Sequence, residues 1–284
     1  MRCLTDWWLP QHGHEPAGMI ELTPMAQENH SSDPVGVFDS GVGGLSVLRE
    51  IHRELPYEHI VYFGDQAHVP YGSKSLLEVR QLSENVVRYL LERRAKLIVV
   101  ACNTASAAAL HYLRETFPAI PFVGMEPAVK PAAEHTHTGK VGVLATPATF
   151  QGELYASVVE RFAQGVTLYQ DTCPGLVAQI EAGHLEGRKT REILENALNP
   201  MLVEDIDTVV LGCTHYPFVI PLIQQIVGPD VQVIDPAPAV ARQVRRVLER
   251  MGLLRVGDEP GRVELETSGD PIKFAKLVKR LLGN

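Results

Sequence analysis

Residues 99–108, VVACNTASAA, decide the fold. A run of β-branched apolar residues stops at Cys102, two short polar residues come next, and a small-residue stretch with good helical propensity begins. Residues 209–218, VVLGCTHYPF, repeat the arrangement around Cys213, 111 positions later. Outward from Cys102, short apolar runs alternate with helical periods. VGVFDSG (35–41) reads as a buried strand and turn, LSVLREIHREL (45–55) as a helix, and HIVYFGD (59–65) as a strand. LLEVRQLSENVVRYLLERR (76–94) reads as a long helix, and KLIVVACNT (96–104) as a strand running into the cysteine. Strands alternating with helices predict βαβ units on a parallel sheet, right-handed crossovers, and sites at the carboxyl ends of strands.

The second half restarts the pattern. VGVLATPAT (141–149) echoes VGVFDSGVG at an offset of 106, DTVVLGCTH (207–215) echoes KLIVVACNT at 111, and VIDPAPAV (233–240) echoes VGMEPAV (123–129). The nearly constant offset predicts an α/β fold of two pseudo-symmetric lobes, each a mostly parallel sheet flanked by helices, with the active site in the cleft between them. Residues 35–132 and 237–284 are assigned to the first lobe and 133–236 to the second. Residues 237–284 go with the first lobe because the second copy is complete before them. Residues 1–34 are polar, rich in His, Pro and Ser, and without periodicity, so they read as a mobile N-terminal extension. They hold both tryptophans, Trp7 and Trp8, and two further methionines, Met19 and Met25, as alternative starts.

Composition removes several classes of function. The chain has 284 residues, 45% hydrophobic and 21% charged, and a net charge of −8 with no basic run. Nucleic acid is therefore a poor partner. No apolar stretch approaches the roughly 20 residues of a membrane span, and no signal-peptide core is present, which predicts a cytoplasmic protein. Its four cysteines, Cys3, Cys102, Cys173 and Cys213, form no C-x-x-C pair. Neither a zinc ribbon nor a dithiol redox motif is expected.

Two lobes related by pseudo-twofold symmetry bring Cys102 and Cys213 to one ligand from opposite sides. A racemase needs that arrangement: it removes a proton from one face of a carbon and returns one to the other. A helix N-terminus lowers a thiol pKa and offers free N–H groups to a carboxylate, so both cysteines are expected to benefit. Asn103, Thr104 and Thr214 add side-chain donors, with Asn103 and Thr104 as expected helix caps. His215, following Cys213 and Thr214, is placed to tune or protonate that site. Cys3 and Cys173 lie outside the repeat and read as structural.

VFDSGVGGLSVLREI, VPYGSKS, VVACNTASA and VVLGCTHYPF resemble, in order, the motifs of the glutamate racemases of the cofactor-independent aspartate/glutamate racemase superfamily. The likeness runs from about Val35 into the C-terminal region. It implies an isomerase that interconverts L- and D-glutamate and supplies D-glutamate for peptidoglycan synthesis, cell wall biogenesis and cell shape. It also implies that no cofactor is used, which agrees with the lack of a recognisable Schiff-base lysine motif, and that no metal is needed. Carried over by resemblance, Cys102 takes the α-proton of D-glutamate and Cys213 that of L-glutamate. Asp39 assists the first cysteine, His215 the second, and Glu181, in IEAGHLEG, acts near the histidine. The same resemblance gives Asp39, Ser40, Tyr71, Gly72, Asn103, Thr104, Thr214 and His215 as substrate contacts.

DSGVGG (39–44) lacks the lysine of a phosphate loop and reads otherwise as a glycine-rich strand–helix turn; PYGSK (70–74) reads locally as a turn. Three alternatives stay open on the residues alone. One is an aspartate racemase or a related decarboxylase or isomerase, although decarboxylases of this type need a single cysteine. Another is a two-lobed amino-acid-binding protein, which needs neither thiol. A third is a metal site built from Cys102, Cys213 and His215. The sequence does not set the oligomeric state, and a homodimer is compatible with it. The extension has the length and position to receive a peptidoglycan-precursor regulator, as in some relatives.

Overall fold

The computed structural model describes residues 30–283. Cys3, Trp7, Trp8, Met19, Met25 and most of the expected 1–34 extension lie outside them. The chain begins with β1 (Val35–Asp39), α1 (Leu45–Glu54), β2 (Ile60–Gly64), a 3-10 turn (Tyr71–Ser73), α2 (Leu76–Glu92) and β3 (Leu97–Val100). It continues through α3 (Asn103–Thr116), β4 (Phe122–Gly124) and α4 (Val129–His135). The repeat comes next: β5 (Lys140–Ala145), α5 (Pro147–Gln151), α6 (Glu153–Phe162), β6 (Thr167–Asp171), α7 (Leu176–Glu181), α8 (Arg188–Val203) and β7 (Thr208–Gly212). A second 3-10 turn (Tyr216–Val219), α9 (Ile220–Val227), β8 (Gln232–Ile234), α10 (Ala237–Arg250), β9 (Val263–Thr267) and α11 (Pro271–Leu282) complete it.

β1, β3 and β7 are buried along their whole length, the pattern of strands covered by helices on both faces. All pairings are parallel, in the orders β4-β3-β1-β2-β9 and β6-β5-β7-β8. Reversed, the second order is β8-β7-β5-β6, so the two sheets match strand for strand except for β9. The registers match too: Val35 pairs with Leu97, and Val141 with Thr208, at the same 106 and 111 offsets as the sequence echoes. β9 joins the first sheet beside β2, and α10 lies against α1. α10 is amphipathic, burying Val240, Ala241, Val244, Val247 and Leu248 at helical spacing.

In each lobe the chain steps from its first strand to one side, then returns to the other side. Such a reversal opens a crevice at the strands' carboxyl ends. β1 and β3 bring Asp39, Ser40 and Cys102 to one crevice, and β5 and β7 bring Ala145, Thr146 and Cys213 to its counterpart.

The expected symmetry stops just past the cysteines. α3 starts immediately after Cys102, whereas Cys213 leads into a 3-10 turn and α9 begins only at Ile220. Pro221 explains the delay. Its ring clashes with the carbonyl four residues back in a helix interior, so it is tolerated only in a first turn, and there it stands. The expected cap also differs: the sulfur of Cys102 itself caps α3, accepting from Ala105 N–H at 3.4 Å, and Asn103 and Thr104 are left free of that task.

Candidate functional site

Asp39, at the end of β1, is fully buried. Gly41 N–H donates to one of its oxygens (2.8 Å), and the Thr214 hydroxyl, arriving from the second lobe, donates to the other (3.0 Å). Burial pushes the Asp39 carboxyl up, against the opposing charge of His215. Cys102 lies beside Ser40, its thiol donating to the hydroxyl at 3.9 Å. Burial, reinforced by the Asp39 carboxylate, pushes the Cys102 thiol well up despite the Ala105 N–H. The expected lowering by a helix N-terminus is therefore reversed at Cys102, because desolvation and a nearby negative charge outweigh one oriented amide.

Cys213 is equipped differently. Its sulfur lies 3.8 Å from His215 Nδ1, and His215 Nε2 lies 2.6 Å from Glu181 Oε1. Burial disfavours charge on His215, but hydrogen bonds to Cys213 and Glu181, with the Glu181 charge, outweigh it and hold the imidazole well above its usual range. A protonated ring has an N–H for each partner. Burial alone would raise Glu181, yet His215, Val42 N–H (3.0 Å) and the Gln66 amide (2.7 Å) keep its carboxyl below the usual value.

The remaining expected residues close one cavity of about 160 Å³. Ser40, Tyr71, Gly72, Cys102, Asn103, Thr104, Cys213, Thr214 and His215 all line it. Asp39 and Glu181 stand behind that wall and reach it through Thr214 and His215. Tyr71 is held by donation from its hydroxyl to Asp65 at 2.6 Å, and Gly72 backs onto Thr146. Thr104 and Thr146 share a hydrogen bond across the cleft at 2.8 Å. Asn103 is 2% exposed, yet neither polar atom of its amide has a partner. Both polar atoms of that amide keep their hydrogen-bonding capacity at the cavity wall.

The glycines of DSGVGG have a steric purpose. A Cβ on Gly41 would overlap the Glu181 carboxylate, and one on Gly43 would overlap the His215 ring. The turn is bare so that the second lobe's histidine and glutamate can seat against it. PYGSK forms the 3-10 turn that carries Tyr71 and Gly72 into the wall.

Thr146 and Cys173 also line the cavity, and Gln66 holds Glu181 behind it. Thr146 stands 106 positions after Ser40, so the repeat itself carried the signal. Cys173, assigned a structural role from the sequence, is buried but lines the cavity. Gln66 has no sequence signal, since its partner is 115 positions away. Among the described residues, no group of three His, Cys, Asp or Glu is arranged to hold a metal ion, and no helix is long and apolar enough to cross a membrane.

A profile of the Asp/Glu/hydantoin racemase family matches residues 35–244. A glutamate racemase from Roseiflexus sp. (strain RS-1) is 51% identical over 254 residues, covering 89% of this chain and 93% of that protein. The crystal structure of glutamate racemase from Francisella tularensis subsp. tularensis SCHU S4 in complex with D-glutamate is similar at 32% identity and a TM-score of 0.78, over 89% of this chain and 95% of that one. The Escherichia coli glutamate racemase, in complex with L-glutamate and the activator UDP-MurNAc-ala, is similar at 34% identity and a TM-score of 0.75, over 88% and 94% of the two chains.

Proposed function

The chain belongs to the Asp/Glu/hydantoin racemase family, and from that premise we propose that it interconverts L- and D-glutamate by proton transfer between two cysteines. One observation carries the reading: two thiols, at strand ends equivalent in register, line a single cavity. Cys213 takes the α-proton of L-glutamate, and Cys102 delivers a proton to the opposite face. The reverse direction exchanges their roles. Each thiol serves as base once and as acid once.

The two ends of the site have different supports. Protonated His215, backed by Glu181, donates toward the Cys213 sulfur. Ala105 N–H and Ser40 surround the Cys102 sulfur, while Asp39 keeps it protonated and ready to act as acid. The Asn103 amide and the free N–H groups of the first turn of α3 suit the substrate carboxylate. Ser40 and Thr214, the latter backed by Asp39, suit the amino group, and Tyr71, Gly72 and Thr104 complete the enclosure. The glutamate found in the Francisella tularensis and Escherichia coli structures supports glutamate over aspartate as substrate.

The proposal extends to the supply of D-glutamate for peptidoglycan synthesis in the cytoplasm. It also includes an effector of the UDP-MurNAc-ala kind acting through residues 1–34. The lobes are proposed as 35–132 with 237–284, and 133–236, supported by the seat of β9 on the first sheet.

Purified protein with L-glutamate in heavy water, free of metal and pyridoxal phosphate, provides the test. New D-glutamate should carry α-deuterium from the start, while remaining L-glutamate stays protiated early. Cys102→Ser and Cys213→Ser should each collapse racemisation, because a hydroxyl is a far weaker acid than a thiol. An enzyme inert on glutamate but fast on aspartate would overturn the substrate. Near-native racemisation by Cys213→Ser would overturn the two-base mechanism.

A further inference from the structure

We infer that Gln66 is a positioning residue for the Cys213 half of the reaction: its side-chain amide, reaching from the loop after β2, fixes the Glu181 carboxylate against His215. This rests on the roles proposed above for Cys213, His215 and Glu181. The Glu181 carboxylate has three donors. His215 Nε2 (2.6 Å) and Val42 N–H (3.0 Å) share Oε1, whereas Gln66 Nε2 (2.7 Å) is, among the described residues, the sole donor to Oε2. Removing it leaves one oxygen of a mostly buried carboxylate unpaired and lets the carboxylate turn about its last bond. The contact that turning disturbs is the one that aims His215 Nδ1 at the Cys213 sulfur.

Gln66 is itself held. Its N–H donates to Gly64 O at 2.8 Å, and Gly269 lies so close that a Cβ there would sit 2.7 Å from the Gln66 Cβ. The Cys102 sulfur has its hydrogen-bond partners, Ala105 N–H and the Ser40 hydroxyl, in its own lobe, and Gln66 bonds to neither. Gln66 should therefore act on one proton transfer and spare the other.

Overall rates cannot reveal this, because the L/D equilibrium obliges kcat/KM to fall equally in both directions. Isotope effects can. α-Deuterated L-glutamate reports transfer at Cys213, and α-deuterated D-glutamate reports transfer at Cys102. For Gln66→Met, loss of a hydrogen bond to a charged group should lower kcat/KM about tenfold. The isotope effect on kcat/KM should rise with deuterated L-glutamate and fall toward unity with deuterated D-glutamate. Gln66→Glu, which sets a like charge beside Glu181, should exaggerate both changes, and Gln66→Asn should soften them. If Gln66→Met does not fold, Gln66→Asn carries the same isotope comparison. Unchanged kcat/KM, or isotope effects that move together, would overturn the inference. Cys213→Ser measured alongside isolates the premise: if it racemises like the parent enzyme, the two-base reading fails whatever Gln66 does.

Discussion

At the scale of single residues, two cysteines with the same strand behind them occupy different electrostatic surroundings. Cys102 is wrapped by its own helix and faces a buried carboxyl. Cys213 faces an imidazole held charged by Glu181. That difference depends on glycines as well. Gly43 leaves the room His215 occupies, and a methyl there would push the ring off the Cys213 sulfur and off Glu181. Gly43→Ala should keep the fold, because the displaced groups, the His215 ring and the Thr214 hydroxyl, are the ends of side chains. It should lower kcat/KM by about 10²-fold, the usual consequence of an ångström of misplacement at a reacting group. Turnover with circular dichroism as a control checks this, and near-native turnover would show that His215 does not need its seat.

At the scale of elements, the repeat is strict in its strands and loose in the segments after them. Strands must match because each pairs along its length with its neighbours, whereas the segment after a strand answers to local residues such as Pro221. One carboxylate shows how a turn is fastened to a strand. Asp207, just before β7, accepts from Thr136 Oγ1 (2.6 Å), His137 N–H (2.5 Å), Thr138 N–H (2.9 Å) and Thr208 Oγ1 (3.0 Å). Partial burial would raise its pKa, but these donors outweigh burial and hold the carboxyl at about 2, below the ordinary 3.8. A depressed carboxyl stabilises the fold above its unfolded pKa, and that contribution is lost as pH falls from 3.8 toward about 2. After allowance for solvent screening at this partly exposed site, Asp207→Asn should cost about 1 kcal/mol at neutral pH. The gap between variant and parent in urea titrations should close below pH 4, and a gap independent of pH would sink the assignment.

At the scale of the whole molecule, a buried ion pair gathers the chain's distant segments. Lys96 and Glu58 are 0% and 1% exposed and 2.6 Å apart. Lys96 also donates to Ser31 O (2.6 Å), and Glu58 accepts from Arg255 N–H (2.7 Å). The segment before β1 and the one after α10 are thus tied to the first sheet at one point. Lys96→Met should destabilise the protein by about 3–5 kcal/mol, because it strands a buried carboxylate. Adding Glu58→Gln, which removes that charge but keeps an acceptor for Arg255, should recover part of the loss. Equal urea midpoints for Lys96→Met and the parent would show the pair is not a fastening.

Periodicity along the chain determined the alternating strands and helices, the parallel sheets, the repeat and the prominence of Cys102 and Cys213. These are local properties: a period of two or 3.6 residues, and a motif recurring at a constant offset, are written within windows of a few residues. The resemblance in DSGVGG, PYGSK, CNTAS, GCTHYP and IEAGHLEG supplied the other expected site residues. Only the tertiary structure decided which groups stand behind them. Gln66 meets Glu181 from 115 positions away and Thr214 meets Asp39 from 175. Gly41 and Gly43 are required by side chains of the other lobe. The protonation of Cys102 and His215 also belongs to that level, because desolvation and the distances between charges exist only once the lobes have come together.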